Sequence, residues 1–289
     1  MPRRRIKAFI PGKKFPSVSI TGHRCWLYCR YCMARYLGQM EHIDTPEKLY
    51  WYARQVKKNG GIGLLISGGF TKDGKLPYRA FLPSIKRIKK ELGLILSIHS
   101  GLISREEAAE LRDAGIDIVD YEIILDKQTI RDVLNLRRSP DDFIKTYEHL
   151  LEEGPPYIAP HILVGAKHGV ISWEYHAVRL LSQYKPYIIV FLALIPTRNT
   201  PMYGTPMPSP EKFMDLLKYA RRYQWIISIG CMRPRSFKTI VDPVIIDKEL
   251  ADRIVLPRKE YITMYDLKIV NSCCSVPTEL LEEVVGIRE

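Results

Sequence analysis

The chain has 289 residues, 46% of them apolar, which suits one large α/β domain or a barrel with extensions and supplies enough apolar surface for a real core. Its formal charge of +12 is compatible with an acidic protein partner, anionic substrates or a plainly solvated surface. The absence of an Arg/Gly-rich or aromatic-interleaved motif argues against nucleic acid. The longest apolar run, Tyr187–Ile195, is bracketed by Pro186 and Pro196 and is too short to span a bilayer. No signal-type stretch follows Arg3, Arg4, Arg5 and Lys7, so a cytoplasmic location is expected, and clustered cysteines there point to metal binding rather than disulfides.

Along the chain, short Val/Ile-rich runs alternate with helix-period segments. Ser17–Thr21 is the first candidate strand, followed by a helix over Pro46–Lys58. Four strand–helix pairs come next: Gly63–Ser67 with Tyr78–Leu92, Leu94–His99 with Ser104–Ala114, Ile116–Glu122 with Asp141–Glu153, and Tyr157–Val164 with Trp173–Tyr184. Tyr187–Leu194, the helix Pro210–Tyr223 and Ile226–Cys231 complete the series, with a last strand near Pro243–Ile246 or Ile254–Leu256. Ser104-Arg-Glu-Glu approaches a capping box, Ser209-Pro210 sets proline in a first helical turn, and Gly115 stops a helix. Runs without polar alternation fit parallel strands buried on both faces. The βα order predicts a TIM-like parallel (β/α) barrel of six to eight units, with a doubly wound open sheet as the alternative. Residues 1–257 form the predicted barrel, and 258–289 form an extension folded over its mouth.

In such barrels, functional residues sit on the loops after the strands. The loop after the first strand carries Cys25, Cys29 and Cys32, a Cys-x3-Cys-x2-Cys run. A closed structural site takes four ligands, so three thiolates on a cubic iron–sulfur cluster leave one iron open for chemistry. Ser67-Gly68-Gly69 ends the second strand, either as an ordinary turn or as a site where backbone approaches a ligand. Cys231, Cys273 and Cys274 form a second set, read either as buried inert thiols or as ligands of a second cluster.

Cys25, Cys29 and Cys32, with aromatic Tyr31 before the last cysteine and Ser67-Gly68-Gly69 downstream, resemble the radical S-adenosylmethionine (radical SAM) superfamily over most of the chain. The resemblance implies a [4Fe–4S] cluster on the three cysteines and S-adenosylmethionine on its open iron, cleaved by one electron to a 5′-deoxyadenosyl radical. It implies cofactor contacts at Tyr31, Ser67, Gly68 and Gly69, although Phe70 stands where the family carries an acidic residue. Asp120-Tyr-Glu122-Ile-Ile-Leu-Asp126 resembles the ribose-gripping fourth strand of biotin synthase, with Ile124 departing from a polar residue. Glu122 and Asp126 are therefore cofactor candidates, Asp126 equally a helix N-cap before Lys127. His161, in Pro160-His161-Ile-Leu-Val-Gly165, is either a cofactor contact or a core histidine, and His99 carries the same alternative. His23 reads as a cap on the cysteine loop.

Biotin synthase holds its auxiliary cluster on earlier strands, where this chain has no cysteines. Gly230-Cys231-Met232-Arg233-Pro234 with the C-terminal Cys273-Cys274 looks instead like the archaeal two-protein lipoyl synthases. That resemblance implies a second [4Fe–4S] cluster on Cys231, Cys273 and Cys274 acting as sulfur donor to an octanoyl chain. Its fourth ligand would be Ser272, Ser275, Arg233 or substrate, and lipoyl synthases set a precedent for serine. It also implies a second radical SAM subunit as heterodimer partner, an octanoylated lipoyl carrier protein, a low-potential electron donor, and a narrow apolar channel for which Leu194, Ile195, Met202 and Met232 are candidates. The rivals are another radical SAM enzyme (methylation, rearrangement or cofactor biosynthesis) and a cluster- or zinc-bearing RNA-binding protein.

Overall fold

Valine and isoleucine dominate the strands because the central ones are covered twice, by helices outside and by the barrel lining within. The structure is a computed structural model and describes residues 6–285. Over these residues eleven strands form one all-parallel sheet: β1 (Lys7–Phe9), β2 (Ser17–Ser19), β3 (Glu41–His42), β4 (Gly63–Ser67), β5 (Ile95–Ile98), β6 (Ile118–Glu122), β7 (Tyr157–Val164), β8 (Ile188–Ala193), β9 (Ile226–Ile229), β10 (Arg253–Val255) and β11 (Ile269–Val270). The order β11-β1-β10-β9-β8-β7-β6-β5-β4-β2-β3 leaves β11 and β3 as free edges, so the barrel is open.

Nine helices are described: α1 (Pro46–Lys58), α2 (Leu82–Leu92), α3 (Arg105–Asp113), α4 (Pro140–Glu153), α5 (Glu174–Tyr184), α6 (Pro210–Ala220), α7 (Arg235–Asp247), α8 (Lys259–Met264) and α9 (Thr278–Val285). Each of β2 and β4–β10 leads into a helix, which makes eight units and places the fold with the barrel rather than the doubly wound sheet. Ser104 caps α3 reciprocally with Glu107, and Gly115 follows at φ +85°, where glycine is favoured. Among the described residues no helix is long and apolar enough to cross a membrane.

Pro243–Ile246 lies inside α7, and the strand expected there or at Ile254–Leu256 is β10. Phe237, Val241 and Ile245 recur every four residues and are fully buried, which is a helical stripe. Pro243 removes the hydrogen bond that the Thr239 carbonyl would receive, and the Tyr261 hydroxyl donates to that carbonyl instead, at 3.3 Å. The sequence reading has no counterpart of β1, β3 and β11, which are two or three residues long and carry no visible period.

Alternation along the strands creates two cores. Leu64, Ile66, Leu96, Ile98, Val119 and Ile227 face the helices. Phe9, Ile95, Ile118, Ala159, Ile188 and Val190 face inward, joined by Cys274, Val276 and Leu281 from the tail. Burying one such side chain contributes about 1.5–3 kcal/mol. The lumen is apolar toward the strands' N-terminal ends and polar toward their C-terminal ends, where Ser97, Asp120, Glu122, His161 and Ser228 occupy inward positions. The tail lies inside the lumen. β11 pairs with β1 as part of the sheet, and the chain then turns inward. The buried Arg253 guanidinium donates to the carbonyls of Cys274 (2.7 Å) and Val276 (2.6 Å), and the Tyr187 hydroxyl donates to that of Ser275.

Candidate active site

The cysteine loop after β2 is tied to the ends of three other strands. Beyond β4, Gly69 donates its N–H to Thr21 Oγ1 (2.7 Å), and Phe70 accepts from Trp26 N–H (2.8 Å). Beyond β6, Val133 accepts from Arg30 N–H (2.8 Å), and Asn135 Nδ2 donates to the carbonyls of Leu27 and Tyr28, both at 2.9 Å. Beyond β8, Thr197 shares a hydrogen bond with the Tyr36 hydroxyl. Tyr28, Met33 and Ala34 take positive φ (44°, 47° and 61°), so the loop is wound tightly around its cysteines. Gly69 must be glycine: a Cβ there would lie 2.0 Å from the Arg24 carbonyl oxygen and 2.5 Å from Cys25 Cα and Cβ. The glycine turn and the cysteine loop are therefore in backbone contact.

Cys29 is buried, while Cys25 and Cys32 are half-buried. Hydrogen bonding between Cys29 and Cys32 pushes Cys29 up, with burial adding to it, and holds Cys32 down, so Cys32 is the readier thiolate. Glu122, at the end of β6, acts on Cys29, Tyr31 and Cys32. Burial lifts its carboxyl from 4.5 to about 7, although the residue keeps some contact with solvent in the mouth.

A carboxyl lifted in this way is neutral in the fold where the unfolded chain already ionises it. The cost is absent below the unfolded value, grows between 4.5 and about 7, and is constant above. Glu122→Gln in the metal-free chain should therefore gain stability relative to wild type by about 2 kcal/mol more at pH 8 than at pH 5. Denaturant unfolding at the two pH values measures this, and an equal effect at both would place Glu122 in an unperturbed setting.

The remaining sequence candidates divide. Tyr31 packs beside the cysteines, its hydroxyl pushed up by burial and then by Glu122. Ser67 turns its hydroxyl to His99 Nδ1 at 3.0 Å, leaving backbone as what the turn at Gly68 and Gly69 offers the site. His161 lies inward on β7, its Nδ1 2.9 Å from the Ala159 carbonyl and its Nε2 4.0 Å from Asp120 Oδ1. Asp126 is engaged in capping: Oδ1 accepts from Thr129 N–H (2.7 Å) and hydroxyl (2.8 Å), and Oδ2 pairs with Lys167 at 3.2 Å. His23 stacks edge-on against His42 at 3.8 Å.

The members of the second cysteine set lie within electrostatic reach of one another, but among the described residues no group of three or more His, Cys, Asp or Glu is drawn together as a metal site. Cys231 stands just beyond β9, open to solvent yet surrounded by protein, and burial followed by Cys273 pushes its thiol up. Hydrogen bonding with Cys274 lowers Cys273 and raises Cys274, on which Cys231 also acts. Ser275 Oγ lies 3.3 Å from Cys273 Sγ. Arg233 is not available as a ligand: fully buried, it donates to the Ile229, Gly230 and Val255 carbonyls and pairs with Asp242 at 3.2 Å, which fixes the turn bearing Cys231. Asp120 Oδ1 and Ser272 Oγ are buried with no hydrogen-bond partner. Sequence reading placed Asp120 only within a longer segment. Strand alternation, which sends Asp120 and Glu122 to one face of β6, was the signal for it.

The profile of the Radical SAM superfamily matches residues 19–168, just over half of the chain. The chain belongs to the radical SAM superfamily. It is 26% identical over 218 residues to a biotin synthase (biotin synthase 2) of Corynebacterium diphtheriae, covering 72% of this chain and 64% of that one. It is 24% identical to the biotin synthase of Aliivibrio fischeri, covering 71% and 59%. The chain thus spans somewhat under two thirds of these relatives' length. The fold matches methylornithine synthase (TM-score 0.61, 17% identity, 99% of this chain and 83% of that one). It also matches HydG, a maturase of the [FeFe]-hydrogenase (TM-score 0.61, 18% identity, 87% and 57%). Radical SAM membership implies a [4Fe–4S] cluster and S-adenosylmethionine. The residues fit: three sulfurs lie on one tightly wound loop, against a glycine turn whose missing Cβ admits that loop.

Proposed function

We propose that this radical SAM chain is a sulfur-inserting subunit of a two-protein lipoyl synthase, acting on an octanoyl chain borne by a lysine of a carrier protein. The observation that carries the proposal is that Cys231, Cys273 and Cys274 lie within electrostatic reach of one another, with Cys273 and Cys274 packed on the inward core. Cys25, Cys29 and Cys32 would hold the radical-generating [4Fe–4S] cluster, and the second set a cluster whose sulfide is the donor. Bound, the two groups supply hydrogen abstraction and sulfur.

The chain's own residues position and enclose the reaction. The Gly68-Gly69 backbone, Tyr31 and Glu122 shape the cofactor side. Glu122, its carboxyl lifted by burial to about 7, can donate a hydrogen bond there when protonated. The inward apolar ring and the tail close the lumen from below and keep water from a reactive centre. Of the channel candidates, Leu194 and Met202 are fully buried in the core, leaving half-buried Ile195 and Met232 to meet an acyl chain. The +12 charge suits an acidic carrier domain, and a second radical SAM subunit and a low-potential donor complete the system.

The test is anaerobic turnover with an octanoyl-lysine peptide, the partner subunit and S-adenosylmethionine, read by mass spectrometry. Sulfur on the octanoyl chain is the expected result. Sulfur appearing only on a free biotin precursor would move the assignment to the activity for which its relatives are named, and 5′-deoxyadenosine without sulfur transfer would favour another radical reaction.

A further inference from the structure

We propose that the basic, aromatic rim formed by the loops after β2 and β8 is the docking surface for an acidic carrier domain that presents its acyl chain to the lumen. The inference rests on the carrier-borne substrate of the proposed function and adds where that carrier sits.

Burial alternates along the cysteine loop. Leu27 and Cys29 are buried, while Trp26, Tyr28 and Arg30 are exposed. Trp26 is 77% exposed and Tyr28 48%, and Tyr203, on the loop after β8, is 62% exposed. Rings of this size ordinarily add to a core. Here the backbone keeps them out of it. Trp26 donates its N–H to the Phe70 carbonyl at 2.8 Å, and the Leu27 and Tyr28 carbonyls both accept from Asn135. Tyr28 holds its place with φ at +44°, a conformation that costs a bulky residue energy.

The two loops make one surface, although β7, β6, β5 and β4 separate their strands in the sheet. Met202 donates its N–H to the Arg30 carbonyl at 3.3 Å, and the hydroxyls of Tyr36 and Thr197 share a hydrogen bond. The loops therefore meet across the mouth of the barrel. Half-buried Ile195, one of the two residues left to meet an acyl chain, begins the same loop that carries Arg198 and Tyr203. A domain seated on the rim holds its arm beside that entrance.

Charge selects the occupant. Residues 21–40 and 194–209 contain Arg24, Arg30, Arg35 and Arg198, and no Asp, Glu or Lys. All four arginines are exposed, and among the described residues none closes an ion pair. The carboxylates within their electrostatic reach are already engaged: Asp44, near Arg24, bonds Lys48 at 2.7 Å, and Asp132, near Arg30, pairs with Arg131 at 2.7 Å. Guanidinium groups bind carboxylates through two parallel hydrogen bonds, and Trp, Tyr and Arg are the residues enriched at the energetic centres of interfaces. Four arginines spread over two solvent-facing loops suit a protein surface that bears several carboxylates around an apolar patch.

The test titrates the cluster-loaded chain, without oxygen, with an octanoylated lipoyl carrier domain of net negative charge. Binding should weaken as salt is raised. Trp26→Ala with Tyr203→Ala, and separately Arg35→Glu with Arg198→Glu, should each weaken it about tenfold or more. Lys57→Glu with Lys58→Glu makes the same change of charge on exposed residues in the last turn of α1, at the opposite end of the barrel, and should stay within about twofold. Carbene labelling of the wild-type complex needs no substitution. The carrier should shield Trp26, Tyr28 and Tyr203 and leave Trp51, 56% exposed on α1, as reactive as before. Equal loss in the rim and α1 variants would reduce the effect to net charge and overturn the docking surface. Shielding elsewhere overturns it too, as does shielding of the rim by the second subunit or the electron donor but not by the carrier. Sulfur transfer to the octanoyl-lysine peptide with no carrier bound at the rim removes the docking surface alone. Carrier bound at the rim with no sulfur transferred to it or to the peptide removes the sulfur-insertion reading alone.

Discussion

Gly69→Ala should abolish S-adenosylmethionine cleavage while leaving the barrel folded. The added carbon would fall 2.0 Å from the Arg24 carbonyl oxygen and 2.5 Å from Cys25. These neighbours are backbone and Cβ, not the end of a flexible side chain, so they can yield only by displacing the loop that carries the three sulfurs. Overpacking of this kind ordinarily costs about 1–3 kcal/mol, which a fold of this size tolerates. Its effect on chemistry is larger, because an ångström of misplacement can cost a factor of about 100. Iron at the first site and 5′-deoxyadenosine formed per chain should both collapse. Gly38→Ala, whose new carbon meets only the His23 ring at 3.6 Å, is the matched control and should stay near wild type. Equal loss in both variants would mean that general loop stability, and not the contact with Cys25, is being measured.

Changing Cys231, Cys273 and Cys274 together to alanine should separate the two halves of the proposed reaction. Iron should fall from about eight to about four per chain. S-adenosylmethionine cleavage should remain within about twofold in the absence of acceptor, because none of the three touches the loop after β2, whereas sulfur transfer to the octanoyl peptide should vanish. The substitutions are small: alanine keeps the Cβ, and Cys231 is solvent-facing, so Cys231→Ala alone serves as a variant that spares the interior. Four irons in wild type and variant alike would remove the donor cluster and, with it, the sulfur-insertion proposal. Eight irons in both would place the second cluster on other residues.

The barrel was legible because burial on both faces removes the polar alternation from the long strands, and Tyr157–Val164 and Gly63–Ser67 were read to the residue. The Cys25–Cys32 spacing was equally legible, since one short loop carries all three sulfurs. Asp120 was harder to see. Its setting is made by Ser97 on the neighbouring strand, His161 on the next and the electrostatic reach of Cys273 about 150 residues away, and no local pattern encodes these. Asp126 shows the converse: an acidic residue in a suggestive segment turned out to be satisfied by Thr129 and Lys167. The α7 stretch was ambiguous because Pro243 obscured a helical period that Phe237, Val241 and Ile245 carry, and the rescue by Tyr261 comes from the next helix along.

The position of β1 between β10 and β11 bears on biogenesis. A strand made of residues 7–9 acquires its partners only when residues 253–255 and 269–270 have been synthesised. On the ribosome the sheet can therefore grow from β2 and β4 toward β10, but β1 stays unpaired until almost the whole chain has emerged. The segment bearing Cys273 and Cys274 enters the lumen later still. That segment is therefore placed late and against a preformed wall, whereas the loop of Cys25, Cys29 and Cys32 is translated long before it.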